Sequence, residues 1–174
     1  LAAAMDMTDA PRALVDEGIY KWHREADGLK IRHVPATLPD MLKTNAVNRW
    51  EYASMLNRSP EEAVELAEVR LDWMRSSQSD YEIAMPIHEV SAFARAEGYW
   101  RGLPRSVRLA QIEWLLEMHH QLYPRLRLFL FDAHQVYSAP ITIFGPLLAV
   151  LYVGKHYLAF RDTERVQAMT AQFD

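Results

Sequence analysis

Chemistry in this chain would have to come from a few short groupings of histidine, carboxylate, arginine and aromatic residues. His88-Glu89-Val90-Ser91-Ala92 begins like the zinc-protease helix motif, but alanine stands where the second histidine must lie one turn on to share the metal. His119-His120 are adjacent, so on a helix they point about 100° apart and cannot chelate one ion. Asp132 and His134 follow an apolar strand and have the types for an acid–base pair, although a polar turn explains them more simply. Lys155-His156 followed by Asp162 has the residue types of a phospholipase D-like phosphodiesterase in the wrong order and spacing. No glycine-rich loop opens a helix, so no P-loop or dinucleotide fingerprint is present. What remains is the loop Glu97-Gly98-Tyr99-Trp100-Arg101-Gly102, flanked by Arg95, Arg105 and Arg108. Its rings and guanidinium groups suit an anionic or planar ligand, or else the loop is simply pinned to the surface by a buried tryptophan.

These residues need a scaffold, and composition supplies its class. The chain has 174 residues, half of them apolar and about a quarter charged, which suffices for one continuous core. A net charge of −4 argues against bulk electrostatic binding of nucleic acid or an anionic membrane. With no cysteine there is neither a disulfide framework nor thiolate chemistry, in keeping with a reducing cytoplasm. No apolar run is long enough to span a bilayer, and Leu1 to Met5 lacks the features of a signal peptide.

Helical periodicity at Val15, Ile19, Trp22 and Ala26 predicts a first helix from near Asp9 to Asp27-Gly28, with residues 1–28 as an N-terminal helical segment that could serve as a connector. Leu29, Ile31 and His33 alternate with Lys30, Arg32 and Val34 as a short strand. Met41 to Leu56 reads as one or two short helices around Trp50 and Tyr52. Ser59-Pro60-Glu61-Glu62 predicts a capping box that opens a helix to about Ser76. That helix turns Val64, Ala67, Leu71 and Met74 inward and leaves Glu61, Glu65, Glu68 and Asp72 as an acidic stripe. The stripe is either a docking surface for a basic partner or, more simply, a solvated face.

Tyr81 to Met85 then reads as a strand and Ile87 to Arg95 as a short helix. A long helix from about Pro104 to Leu122 carries Leu109, Ile112, Leu116 and His119 on one side and Val107, Ala110, Trp114 and Met118 on another. Apolar stripes on both sides predict that both are covered. A strand, this helix and the strand Leu126 to Phe131 predict a right-handed parallel crossover. The strands Pro140 to Phe144, Leu147 to Val153 and His156 to Phe160 are joined by turns so short that they must be antiparallel neighbours, and a helix from Asp162 closes the chain. The expected fold is therefore α/β (α+β), a mixed sheet of about five to six strands flanked by helices, with residues 29–174 as one domain.

One family resemblance rests on the order of these segments. Leu42-Lys43-Thr44 with Trp50-Glu51-Tyr52-Ala53, Pro60-Glu61-Glu62 with Val69-Arg70-Leu71, Glu89 with Phe93, and Gln111 to Leu116 come first. Gly145-Pro146, Leu151-Tyr152-Val153 and Asp162 to Val166 follow. The succession, over roughly residues 34–174, resembles the uncharacterised C-terminal effector domain of bacterial XRE-type helix-turn-helix regulators. The chain departs from that family at Gly154, where a glutamate is common. The resemblance implies a cytoplasmic sensor domain that forms a homodimer, meets a small-molecule effector or partner protein, and reaches DNA through a separate N-terminal domain. From the residues, no catalytic set, metal, cofactor or membrane contact is expected. Tyr99, Trp100, Arg101, His88 and Tyr152 are the candidate ligand-binding residues. The competing classes are a degenerate phosphodiesterase or hydrolase using Asp132, His134 or His156, and a plain protein-interaction module.

Overall fold

The computed structural model describes residues 5–9, 17–55, 59–153 and 156–174. Its centre is one seven-stranded mixed sheet in the order β1-β7-β6-β5-β2-β3-β4. The strands are β1 (Met5–Asp9), β2 (Lys30–Val34), β3 (Asp80–Pro86), β4 (Leu126–Phe131), β5 (Ile141–Phe144), β6 (Leu148–Val153) and β7 (His156–Phe160). β2, β3 and β4 are parallel neighbours, whereas β5, β6, β7 and β1 continue the sheet antiparallel from β2. The division follows from the connections: whole helices separate the parallel strands, and turns separate the antiparallel ones.

The mixed α/β sheet agrees with the sequence pattern, and β1 adds a strand that the pattern does not reveal. Met5–Asp9 pairs antiparallel with β7 from Met5 opposite Phe160 to Asp9 opposite His156. Asp9, expected to cap the first helix, therefore lies in a strand, and helix α1 covers Glu17–Glu25. Val15 lies outside the described residues, as does the turn at Gly154-Lys155. Ile19 and Trp22 pack on the core and Ala26 is fully buried.

Alternation along the strands divides their side chains between two layers. One face sends Ile31, Tyr81, Ile83, Met85, Leu126, Phe144, Leu148 and Val150 into the main core. It is covered by α1, α2 (Asn45–Met55), α3 (Pro60–Ser76), α4 (Ile87–Arg95) and α5 (Arg105–Leu122). The opposite face holds the smaller cluster of Val34, Ile141, Ile143 and Ala149 beneath Val166 of α6 (Thr163–Phe173). Asp162 caps α6 by accepting the Arg165 N–H at 3.1 Å.

Two local expectations fail, each for a physical reason. Ser59 makes no side-chain cap; its hydroxyl donates to the Glu61 carboxylate at 2.9 Å, so the capping box is not formed. On α5, Leu115 and Met118 are buried, but Leu109 and Leu116 are 55% and 64% exposed. The sheet presents one surface to this helix, so Ile112, Leu115 and Met118 are covered while Leu109 and Leu116 are left outside. The acidic residues of α3 are exposed, as a solvated face requires.

Candidate functional site

The site grows from the segment that joins β2 to α2. Pro35 and Pro39 end the strand, and a 3-10 turn over Asp40–Leu42 leads into Lys43 and Thr44. Thr44 stands before the first turn of α2, with its hydroxyl 3.4 Å from the Val47 N–H. From α5, the fully buried Gln111 holds this stretch from both sides. Its Oε1 accepts the Thr44 N–H at 2.7 Å, and its Nε2 donates to the Leu42 carbonyl at 2.8 Å. One carboxamide thereby satisfies two backbone groups that helix formation leaves unpaired, and fixes the residue between them.

That residue is Lys43, whose side chain is only 6% exposed. Its ammonium lies 2.7 Å from Asp40 Oδ1, 2.9 Å from Glu51 Oε2 and 3.2 Å from Glu51 Oε1. Burial alone would release the proton, but the two carboxylates outweigh it and hold the Lys43 ammonium charged well above the usual lysine range. Burial pushes Asp40 up, and the charges of Lys43 and Arg70 overcome that push, so its carboxyl titrates below the ordinary range. Glu51 Oε1 also accepts the Tyr99 hydroxyl at 2.8 Å. The Tyr99 ring meets Trp100 edge-on at 4.8 Å and Trp50 at 6.4 Å.

Hydrogen-bonding capacity is left over beside this ion pair. Asn48 is fully buried, and neither atom of its amide has a hydrogen-bond partner among the described residues. One turn on, Tyr52 is 3% exposed and its hydroxyl is likewise unmatched. Burial and the negative charge of Asp40 raise the Tyr52 hydroxyl to about 12. The i,i+4 spacing puts both groups on one face of α2, Cβ atoms roughly 5–6 Å apart, and Glu51 lies on the same side.

A second polar chain approaches from the sheet. The Tyr152 hydroxyl lies 3.2 Å from Thr142 Oγ1, which is 2.8 Å from His33 Nδ1. The same nitrogen is 3.2 Å from the Ile141 carbonyl, so the tautomer with Nδ1–H suits that contact. Burial lowers the His33 pKa, against the pull of the Asp40 carboxylate, which links this chain electrostatically to the Lys43 cluster.

The five candidate ligand residues are thus distributed unevenly. Tyr99 is hydrogen-bonded to the Lys43–Glu51 group, and Tyr152 belongs to the separate chain through Thr142 to His33. Trp100 is 1% exposed, packed edge-on against Phe93 at 4.9 Å, and serves as the hydrophobic pin of its loop. Arg101 is exposed, and His88 is exposed near Glu89; among the described residues neither is hydrogen-bonded or ion-paired to Lys43, Glu51 or His33. Asp132 spends one oxygen on the His134 N–H at 2.9 Å, as a polar turn does. That turn follows the edge strand β4, while His156 begins β7, with β6, β5, β2 and β3 in between. At about 4.8 Å per strand the two places are roughly 24 Å apart. They do not form one site.

Asn48 escaped the reading of the sequence, and Lys43, Glu51 and Tyr52 entered it through the family resemblance, with no role assigned to them. A signal existed in their spacing: polar Asn48 and Glu51 share the helical stripe of Val47 and Tyr52, which is buried. Among the described residues no group of three or more histidines and carboxylates is arranged to hold a metal ion, and no helix is long and apolar enough to cross a membrane. Compared with protein families, curated proteins and solved structures, the chain finds no significant match in any of the three.

Proposed function

We propose that this chain is the regulatory domain of a DNA-binding transcriptional regulator, a cytoplasmic sensor that binds a small molecule or a partner protein and sets the geometry of a homodimer. DNA is then contacted through a separate domain. The observation that carries the sensor part is the pair of unmatched groups at Asn48 and Tyr52 beside the buried Lys43 ion pair. A buried polar group without a partner costs about 1–3 kcal/mol, and native proteins keep few of them. Two on successive turns of one helix suit a small polar ligand that offers both a donor and an acceptor.

The charges nearby fit the same role. An ammonium held protonated between two carboxylates is a poor nucleophile or base, which favours a binding role over a catalytic one. The 3-10 turn and α2 carry all the groups concerned, so a ligand that favours one placement of α2 shifts the population of that placement. The resemblance to regulator effector domains supplies the biological setting, and Tyr99 supplies the edge of the site.

The test is thermal unfolding against a panel of amino acids, nucleosides and small polar acids. A true ligand at a hundredfold its Kd adds about 2.7 kcal/mol of stability. Its shift should vanish in Asn48→Leu. If every compound shifts the wild-type protein no more than it shifts that variant, the sensor reading fails.

A further inference from the structure

We infer that the ligand group this domain takes at α2 is uncharged and planar, with a hydrogen-bond donor and an acceptor side by side, as in a carboxamide or the edge of a nucleobase. The inference rests on the sensor reading and narrows it, since compounds that bring a net charge to this place are excluded. The first observation is that the ionised groups here already balance. Lys43 lies 2.7 Å from Asp40 and 2.9 Å from Glu51, and Arg70 of α3 is the second cation acting on Asp40. Two positive and two negative charges leave no excess. His33, within the field of Asp40, and His23, within that of Arg70, are held neutral at pH 7 by burial. Glu68, which accepts the Asn45 amide at 3.1 Å, and Arg49 are exposed and answered by water. An ion brought into the buried part loses its hydration with no counter-ion to replace it.

The second observation is the kind of group left over. Asn48 is wholly buried with neither Nδ2 nor Oδ1 matched among the described residues, and the buried Tyr52 hydroxyl is unmatched too. A carboxamide holds its donor and acceptor in one plane on one carbon. A carboxylate only accepts and an ammonium only donates, so either leaves half of the Asn48 amide unmatched. A hydroxyl offers both functions, but through a single oxygen. The group that answers both halves at once is another amide-like edge, which is why an asparagine side chain reads adenine through its N6 amino group and N7. The Tyr52 hydroxyl, kept protonated because burial and Asp40 raise it to about 12, gives a third bond as donor or acceptor.

The place is the boundary between α2 and α3. Asn45 of α2 bonds Glu68 of α3, and Tyr52, about two turns on, returns to the same side of α2 with Asn48 between them. On α3, Val64 precedes Glu68 by four residues, shares its side and is buried. Arg70 of α3 acts electrostatically on Tyr52 across the same boundary. A flat group lying there meets an apolar wall on α3 and the two polar groups on α2.

Thermal unfolding of the whole chain with benzamide, benzoate and benzamidine tests the charge, because the three share a ring and are neutral, anionic and cationic at pH 7. Adenine beside purine, which lacks the exocyclic amino group, tests the nucleobase source. Benzamide, adenine or both should raise the unfolding midpoint, with a Kd roughly ten- to hundredfold below that of the charged or amino-free counterpart. That shift should vanish in Asn48→Leu. Tyr52→Phe, which removes only a hydroxyl, should weaken the same compound about tenfold and takes the place of Asn48→Leu if that variant does not fold. A shift by benzoate, benzamidine or a small acid that depends on Asn48 overturns the inference and leaves the sensor reading standing. An amide satisfied by water alone leaves no compound acting through Asn48, and both readings then fall.

Discussion

Lys43 and Glu51 meet at 2.9 Å with their side chains 6% and 5% exposed, so a charge of each sign is buried against the other. Such a pair adds little net stability but is costly to break. Lys43→Met should lower the unfolding free energy by about 3–5 kcal/mol in urea melts. Most of the loss falls on Glu51, because Asp40 is 48% exposed and can turn towards water. The double variant Lys43→Met/Glu51→Leu should recover most of it. A double variant as unstable as the single one would mean that the pair is not the source of the cost.

His23 sets the response to acid. Burial, with smaller contributions from the charges of Arg70 and His33, lowers its pKa from 6.5 to about 3, and its Nδ1 lies 3.2 Å from the Tyr81 hydroxyl. The unfolded chain therefore takes up this proton first. Stability is full above pH 6.5 and falls as the pH drops towards 3, by at most about 1.4 kcal/mol per unit. His33, also lowered by burial, acts with the same sign. In urea midpoints measured between pH 6.5 and 4.5, His23→Gln should show a distinctly shallower slope than wild type. Equal slopes would remove His23 as the cause.

How far this was legible in sequence depended on whether a feature was local. α4 (Ile87–Arg95) and β4 (Leu126–Phe131) are bounded as their patterns predict, since proline and hydrophobic period act within a few residues. β1 was not legible: five residues become a strand because β7 offers an edge, and β7 lies about 150 positions away in sequence. The capping box at Ser59 was misleading because the hydroxyl is turned to donate to Glu61 and its oxygen does not accept a first-turn N–H. Tyr99 and Tyr152 were singled out in the sequence, but the polar contacts they make with Glu51 and Thr142 were not legible there. Gln111, Lys43 and His33 act through contacts between α5, the 3-10 turn and β2, which no one-dimensional spacing encodes.

Among the described glycines, Gly145 alone has a neighbour within 4 Å of an added Cβ. Its φ is +50°, and an added Cβ would stand 2.9 Å from the Leu29 Cβ, an atom that cannot rotate away. Gly98 has a nearly equal φ of +56° with nothing within 4 Å of the same position. Both alanine variants lose the left-handed freedom of glycine, about 1 kcal/mol. Gly145→Ala should cost a further 1–3 kcal/mol or so from overlap. Denaturant melts of the two proteins measure the difference, and equal losses would show that Leu29 yields without strain.

Asn48 gives the sharpest separation of a binding group from a structural one. Its side chain is fully exposed to neither water nor any partner among the described residues, so its amide is desolvated without return. Asn48→Leu is close in shape and removes the unmatched groups, which predicts a gain of about 1–3 kcal/mol for the free protein. The same change should abolish stabilisation by any compound that depends on the amide, and Tyr52→Phe should behave alike one turn away. Gain of stability with loss of response is the mark of a site kept for a ligand. If Asn48→Leu instead unfolds more readily than wild type, the amide is satisfied in the free protein and the polar site at α2 loses its foundation.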